Sequence, residues 1–163
     1  MSNFKVRRAT ARDVDLLAEH RQSMFDAMAR AAPTKHAIEE DPYRTWVAEM
    51  MKLRLLHGYV ITTDKGKVAA SGCVWLRQVQ PSQGRPASLV PYLMSMYTSP
   101  KFRRRGLASM IVKEATVWAK RKGYGRMTLH ASSVGRKVYS QLGWKRTWEM
   151  EVDLRRPREP TKA

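Results

Sequence analysis

Hydrophobic positions along this chain change their period at several points, and each change marks an element. Phe4, Val6 and Arg8 fall on one side of an alternating run, which predicts a short strand. Thr10-Ala-Arg-Asp13 then reads as a capping box, with Thr10 capping a helix and the Asp13 carboxylate closing the other half. Val14, Leu17, Ala18, Arg21, Phe25 and Met28 follow at helical spacing, so a first helix is expected to about Arg30, where Ala31-Ala-Pro-Thr34 breaks it. Asp41-Pro42 starts a second helix, with Pro42 at its first position and Trp46, Val47, Met50 and Met51 on its apolar face. Gly58 is expected just past the end of that helix, in the left-handed C′ position.

From there the period becomes two. Residues 59–63 and 67–79 are β-type runs around Asp64-Lys-Gly66, a hairpin signal. Residues 80–86 form a loop, and residues 89–97 the next strand, where Pro91 argues for an edge or a bulge. Leu107, Met110, Ile111, Ala115 and Trp118 mark the buried face of an amphipathic helix that Gly123 ends. Residues 126–130 read as a short strand, and residues 135–142 as a two-turn helix closed by Gly143. Trp148, Met150, Val152 and Leu154 alternate with Thr147, Glu149, Glu151 and Asp153, which predicts a final half-buried strand. The order is β-α-α-β-β-β-α-β-α-β, an α/β (α+β) fold of about six strands and four helices in a single domain over residues 1–154. Residues 155–163 read as a flexible basic tail. An antiparallel first half meets a β-α-β unit, whose crossover makes its two strands parallel and places a site at their carboxyl ends.

Composition narrows the partners. With 31 Lys and Arg against 14 Asp and Glu, the formal charge of +17 favours anionic partners without choosing among nucleotides, phosphorylated cofactors, nucleic acid or acidic surfaces. The single cysteine, Cys73, excludes an intrachain disulfide, lies in an apolar run and fits a reducing cytosol. No apolar run approaches the ~20 residues that span a membrane, and Met1-Ser-Asn-Phe-Lys is no signal peptide, so a cytoplasmic protein is expected. His20, His36, His57 and His130 show no metal-ligand spacing and no Ser/His/Asp arrangement, so no metal is expected.

The chemistry concentrates where the apolar run ends at Ser99-Pro100. Arg103, Arg104 and Arg105 follow, and Gly106-Leu-Ala-Ser109 opens the long helix. First-turn N–H groups have no partner inside a helix, and the helix dipole adds positive potential there. Cations and small residues around such a turn suit a phosphate or pyrophosphate. A solvated basic loop before an ordinary helix is the competing reading.

Arg103-Arg-Arg-Gly-Leu-Ala108 resembles the Arg/Gln-x-x-Gly-x-Gly/Ala signature of the GNAT (GCN5-related) N-acetyltransferases. Leu129-His-Ala-Ser-Ser-Val-Gly-Arg-Lys-Val-Tyr-Ser-Gln-Leu-Gly-Trp144 is similar to a segment that many bacterial members carry, and the element order resembles the family from about Phe4 to Leu154. The resemblance implies a largely antiparallel sheet splayed between the strand at Leu89–Thr98 and the strand at 126–130, with acetyl-CoA as the donor. It implies that backbone N–H groups of Arg103, Arg104, Arg105, Gly106, Leu107, Ala108 and Ser109 hold the pyrophosphate. Pantetheine would lie in the splay against the backbone of Met96 and Thr98, and an N–H near Met96 or Tyr97 would polarise the thioester carbonyl. Tyr139 matches the family's general acid beside the sulfur, with His130 and Ser133 near that sulfur by position.

The base is open. Histone-modifying members carry a glutamate where this chain has Tyr92, and no acidic residue occurs in 81–105. A water relay through Tyr92, an acceptor that arrives neutral, or an acid from Glu39, Glu40 or Asp41 would each serve. The resemblance assigns acceptor choice to residues 26–41 and 78–86; the acceptor is a small-molecule or peptide primary amine. A homodimer is left open. The alternatives are a GNAT fold kept as a non-catalytic CoA sensor and, less favoured, a basic nucleic-acid-binding domain, which no recognised motif supports.

Overall fold

The computed structural model describes residues 3–29, 42–81 and 89–151, and the account of the fold rests on these. Expectations for Glu39, Glu40, Asp41 and most of the two acceptor segments lie outside the described residues. The elements in order are β1 (Phe4–Arg8), α1 (Val14–Ala29), α2 (Pro42–Lys52), β2 (Leu56–Thr63), β3 (Val68–Gln78), β4 (Leu89–Thr98), α3 (Leu107–Arg121), β5 (Thr128–Leu129) and α4 (Arg136–Gln141). A single-turn 3-10 segment, Ala11–Asp13, leads into α1 and another, Pro100–Phe102, follows β4.

The five strands lie side by side in sequence order. The first four run antiparallel, and β5 joins β4 in parallel after the α3 crossover. Each face of the sheet has its own core. Tyr59, Ile61, Val74 and Leu93 pack under Leu107, Ile111 and Ala115 of α3. On the other face Leu56 and Cys73 pack under Leu17 and Ala18 of α1 and Tyr43 and Val47 of α2. Cys73 is a core residue, as its apolar run predicts, and burial pushes its thiol up to about 12.

Three local expectations are corrected or narrowed. Gly58 lies inside β2, not past α2. The chain leaves α2 through Arg54, whose φ of 59° is left-handed, while Leu55 N–H reaches back to Met50 C=O at 2.8 Å. Gly58 is required instead by close approach, because a Cβ there would stand 2.6 Å from Ala9 Cβ. The second, an edge or a bulge at Pro91, is narrowed to an edge. Leu76 donates its N–H to Leu55, on the β2 side, so the nitrogen of Pro91 opposite it faces away from β3, just before β5 begins to pair at Tyr92. Pro91 therefore sits where β4 is still an edge, and the bulge comes later, at Ser95.

The third is the final strand. Residues 144–151 carry no strand, and Trp148 and Met150 stand 98% and 93% exposed, while the rest of the expected strand, Val152 to Leu154, and the tail at 155–163 lie outside the described residues. Alternation supplies a face but not a partner, and β5, at two residues, offers no ladder to extend. The described residues thus form a five-stranded sheet where about six strands were expected.

The capping box at the start of α1 is formed, and it does more than cap. Asp13 Oδ2 accepts the Thr10 N–H at 2.8 Å, and Thr10 Oγ1 accepts the Arg12 N–H at 3.3 Å. Arg7 of β1 grips the same carboxylate with both terminal nitrogens, at 2.9 and 2.6 Å, tying the first strand to the first helix. This guanidinium holds Asp13 down at about 2. A carboxylate depressed in the folded state stabilises above its unfolded value, near 3.9, and loses that contribution as the pH falls through the folded one. Asp13→Asn should therefore cost roughly 1–3 kcal/mol at neutral pH. In urea titrations the gap from the unmodified protein should close between about pH 4 and pH 2.

Candidate active site

The site begins with a defect in β4. Ser71 pairs with Tyr97 and Cys73 with Met94, so Ser95 and Met96 together face the single residue Gly72. Ser95 takes a left-handed φ of 52° to make this bulge, and its buried hydroxyl is held by the Tyr43 hydroxyl of α2 at 2.9 Å. The bulge changes which residues face β3. Ser99 N–H donates to Ala69 of β3 at 3.0 Å, so by strand alternation Tyr97 also faces β3, and Met96 and Thr98 turn their N–H and C=O groups the other way. Tyr97, expected as a backbone contact for the cofactor, thus has its main chain committed to the sheet.

On that other side β5 is absent. β4 and β5 share only the pairs Tyr92 with Thr128 and Leu93 with Leu129, and residues 94–98 run on without a β5 partner. The Met96 side chain packs into the α3 core over Gly72, where a Cβ would lie 2.3 Å from its sulfur. What Met96 offers to the cleft is its backbone.

Beyond the strand the chain turns through Arg103, Arg104 and Arg105, all exposed. Arg103 folds its Nε back onto Thr98 C=O at 3.2 Å. Arg104 has a φ of 59° and Gly106, at the α3 N-cap, a φ of 76°, so left-handed residues recur through the turn and curl the main chain into a concavity. Nothing lies within 4 Å of a Cβ built on Gly106, so its dihedral angle, not crowding, calls for glycine. No side chain caps α3, and its first internal bond runs from Met110 N–H to Gly106 C=O. The N–H groups of Leu107, Ala108 and Ser109 are left aimed at the turn beside two arginines without hydrogen-bond or ion-pair partners among the described residues.

Two tyrosines stand where β4 and β5 part. Tyr139 of α4 packs on the α3 core, and Gly135 leaves room for its ring, since a Cβ there would come within 3.1 Å of it. Burial raises its phenol, and the neighbouring Tyr92 adds to the rise, so Tyr139 holds its proton at neutral pH. Tyr92 is raised by burial too, against the Arg77 guanidinium and the His130 backbone N–H, which lower it. Tyr92 Oη meets His130 Nδ1 at 2.7 Å, and His130 Nε2 faces Glu149 Oε1 at 3.6 Å. Ser133 is exposed in the turn before α4.

Glu149 carries no signal of a site in the sequence beyond its place in an alternating run. His20 was equally silent. It reaches from α1 to Ser71 Oγ at 2.8 Å and packs on the Tyr97 ring at 4.7 Å, and burial lowers its pKa despite the field of Glu19. Among the described residues no cluster of three or more His, Cys, Asp and Glu could hold a metal ion. No described helix is long and apolar enough to cross a membrane.

An anion-binding helix start beside an unpaired strand edge is the geometry of a protein that takes a long, pyrophosphate-bearing ligand against its backbone. The family model for the Acetyltransferase (GNAT) family matches residues 21–144. A predicted acetyltransferase from Clostridium acetobutylicum, solved with acetyl-CoA, superposes with a TM-score of 0.82 at 22% identity, over 93% of this chain and 97% of its own. A GCN5-related N-acetyltransferase from Ralstonia eutropha gives 0.81 at 24%, over 94% and 99%. An aminoglycoside N-acetyltransferase in complex with CoA gives 0.71 at 18%, over 94% and 95%. Comparison with curated proteins returns no match. The chain belongs to the Acetyltransferase (GNAT) family.

Gly106→Val tests the turn. A β-branched residue at this φ costs on the order of 1–2 kcal/mol and distorts the turn without touching either core. Calorimetry with acetyl-CoA should show affinity reduced about tenfold or more, with thermal stability nearly kept. Unchanged affinity would place the pyrophosphate elsewhere.

Proposed function

We propose that this enzyme acetylates the primary amine of a small molecule, with donor and acceptor meeting where β4 and β5 part. The observation that carries the reading is the unpaired run of β4 leading directly to the uncapped start of α3. The acceptor class is supported by the likeness to an aminoglycoside N-acetyltransferase, and by the acidic trio Glu39, Glu40 and Asp41 in the sequence. The free, buried Cys73 fits a cytoplasmic setting.

In this reading the turn at residues 103–109 holds the pyrophosphate mainly through its backbone, with the arginines adding field. The N–H and C=O of Met96 and the N–H of Thr98, whose C=O already accepts from Arg103, hold the pantetheine as a neighbouring strand would. Acetyl-CoA supplies an acetyl group activated as a thioester. The amine attacks its carbonyl, whose oxygen the Met96 N–H is placed to stabilise. Tyr139 gives its phenolic proton to the departing sulfur, a task that suits a group kept protonated by burial.

An amine panel tests this: an aminoglycoside, an alkyl diamine, and peptides with a free N-terminus or a lysine. The small amines should be acetylated fastest. Tyr139→Phe should lower kcat about 10²-fold while acetyl-CoA binds as before. Faster turnover of the peptides would reverse the acceptor assignment, and an undiminished Tyr139→Phe rate would remove Tyr139 from the mechanism.

A further inference from the structure

We infer that Tyr92, His130 and Glu149 form a proton relay that deprotonates the acceptor amine and discharges the proton to solvent. The inference rests on the N-acetyltransferase reading and fills its one gap, since β4 carries no carboxylate. Tyr92 comes from β4, His130 from the residue after β5, and Glu149 from the segment that follows α4. Three separate parts of the chain converge on one line of contacts.

The line has a direction. In the tautomer that the relay uses, Tyr92 Oη donates its hydrogen to His130 Nδ1, 2.7 Å away. With Nδ1 accepting, the imidazole carries its hydrogen on Nε2, which faces the Glu149 carboxylate. At 3.6 Å this is an ion-pair distance, too long for a hydrogen bond, and it gains strength when the ring becomes charged. The side chains of His130 and Glu149 are 58% and 66% exposed, so a proton arriving there meets water. Arg77, on β3, stands 4.6 Å from the Tyr92 ring and favours transient negative charge on its oxygen, against the opposing field of Glu149.

The step balances. The ammonium form of the acceptor passes one N–H proton to Tyr92 Oη as Tyr92 passes its own to His130 Nδ1. The imidazolium, faced by Glu149, then releases the Nε2 proton to water, and exchange of the exposed ring with solvent moves the hydrogen from Nδ1 back to Nε2 before the next turnover. The freed lone pair forms the N–C bond as the C–S bond breaks. The second proton that nitrogen loses replaces the one that Tyr139 gives to sulfur.

His20 is the alternative base, and the structure disfavours it. A proton on that ring would sit in the α1–β4 interior, its Nδ1 committed to Ser71 and with a weak Glu19 field against a dominant burial penalty. His130 Nδ1 is bonded to Tyr92 and its Nε2 faces Glu149, so in this reading His130 serves the acceptor.

The test is the pH dependence of kcat for the best small amine of the panel, in the unmodified enzyme and in His130→Gln. A lost relay leaves only amine that is already neutral. The variant should be slower by about 10²-fold near pH 7 and should approach the unmodified rate by about pH 10, where alkyl amines deprotonate unaided. Glu149→Gln should show a smaller deficit of the same shape. A ratio that stays constant with pH, or no deficit at all, overturns the relay. So does loss of acetyl-CoA binding in His130→Gln by calorimetry, which would make His130 a cofactor residue. If the unmodified enzyme binds acetyl-CoA but acetylates no amine at any pH, the transferase reading falls and takes the relay with it; an active enzyme with an indifferent His130→Gln sinks the relay alone.

Discussion

Everything in this site depends on β4 having no β5 partner beyond Leu93. A sheet strand with bare N–H and C=O groups is costly to bury and invites a partner. Here the bare stretch ends at the uncapped, arginine-flanked start of α3, so the two unsatisfied sets of donors lie end to end. In the proposed reading, one ligand with an amide-bearing arm and a pyrophosphate satisfies both. The bulge at Ser95 sets the phase of the arrangement. Without its extra residue, alternation would carry Met96 toward β3 and away from the cleft. The buried hydroxyl pair between Tyr43 and Ser95 is what the second helix contributes to that geometry.

Around the parting strands, burial and charge sort the groups by task. Tyr139 and Tyr92 both stay protonated because burial disfavours their phenolates, yet their surroundings differ. Tyr139 packs against the α3 core, a place from which to give a proton once. Tyr92 touches an imidazole and an arginine at the rim, a place from which to pass one on. In the proposed mechanism the same residue type thus takes two roles from two environments.

How much of this was legible in the sequence varies with the range of the interactions. The capping box at Thr10 and Asp13, Pro42 at the start of α2, the hairpin at residues 64–66 and the glycines closing α3 and α4 are local devices, and each is where the residues place it. Gly58 misled because close approach to Ala9 and a helix C-cap leave the same letter. The run from Trp148 to Met150 misled because alternation says nothing of whether a neighbouring strand exists. The arginine turn could be read as an anion site from charge and helix ends alone. The contacts of His130 with Tyr92 and Glu149, and of His20 with Ser71, join residues far apart along the chain, and no spacing encodes them.

The central claim is that one ligand occupies the bare edge of β4 and the start of α3 together. Residue-resolved amide hydrogen exchange, with and without acetyl-CoA, measures this at the groups concerned. The account predicts that the N–H groups of Met96, Thr98, Leu107, Ala108 and Ser109 slow together on binding. Binding that protects neither set, or that protects the turn and leaves Met96 and Thr98 exchanging as before, would contradict it.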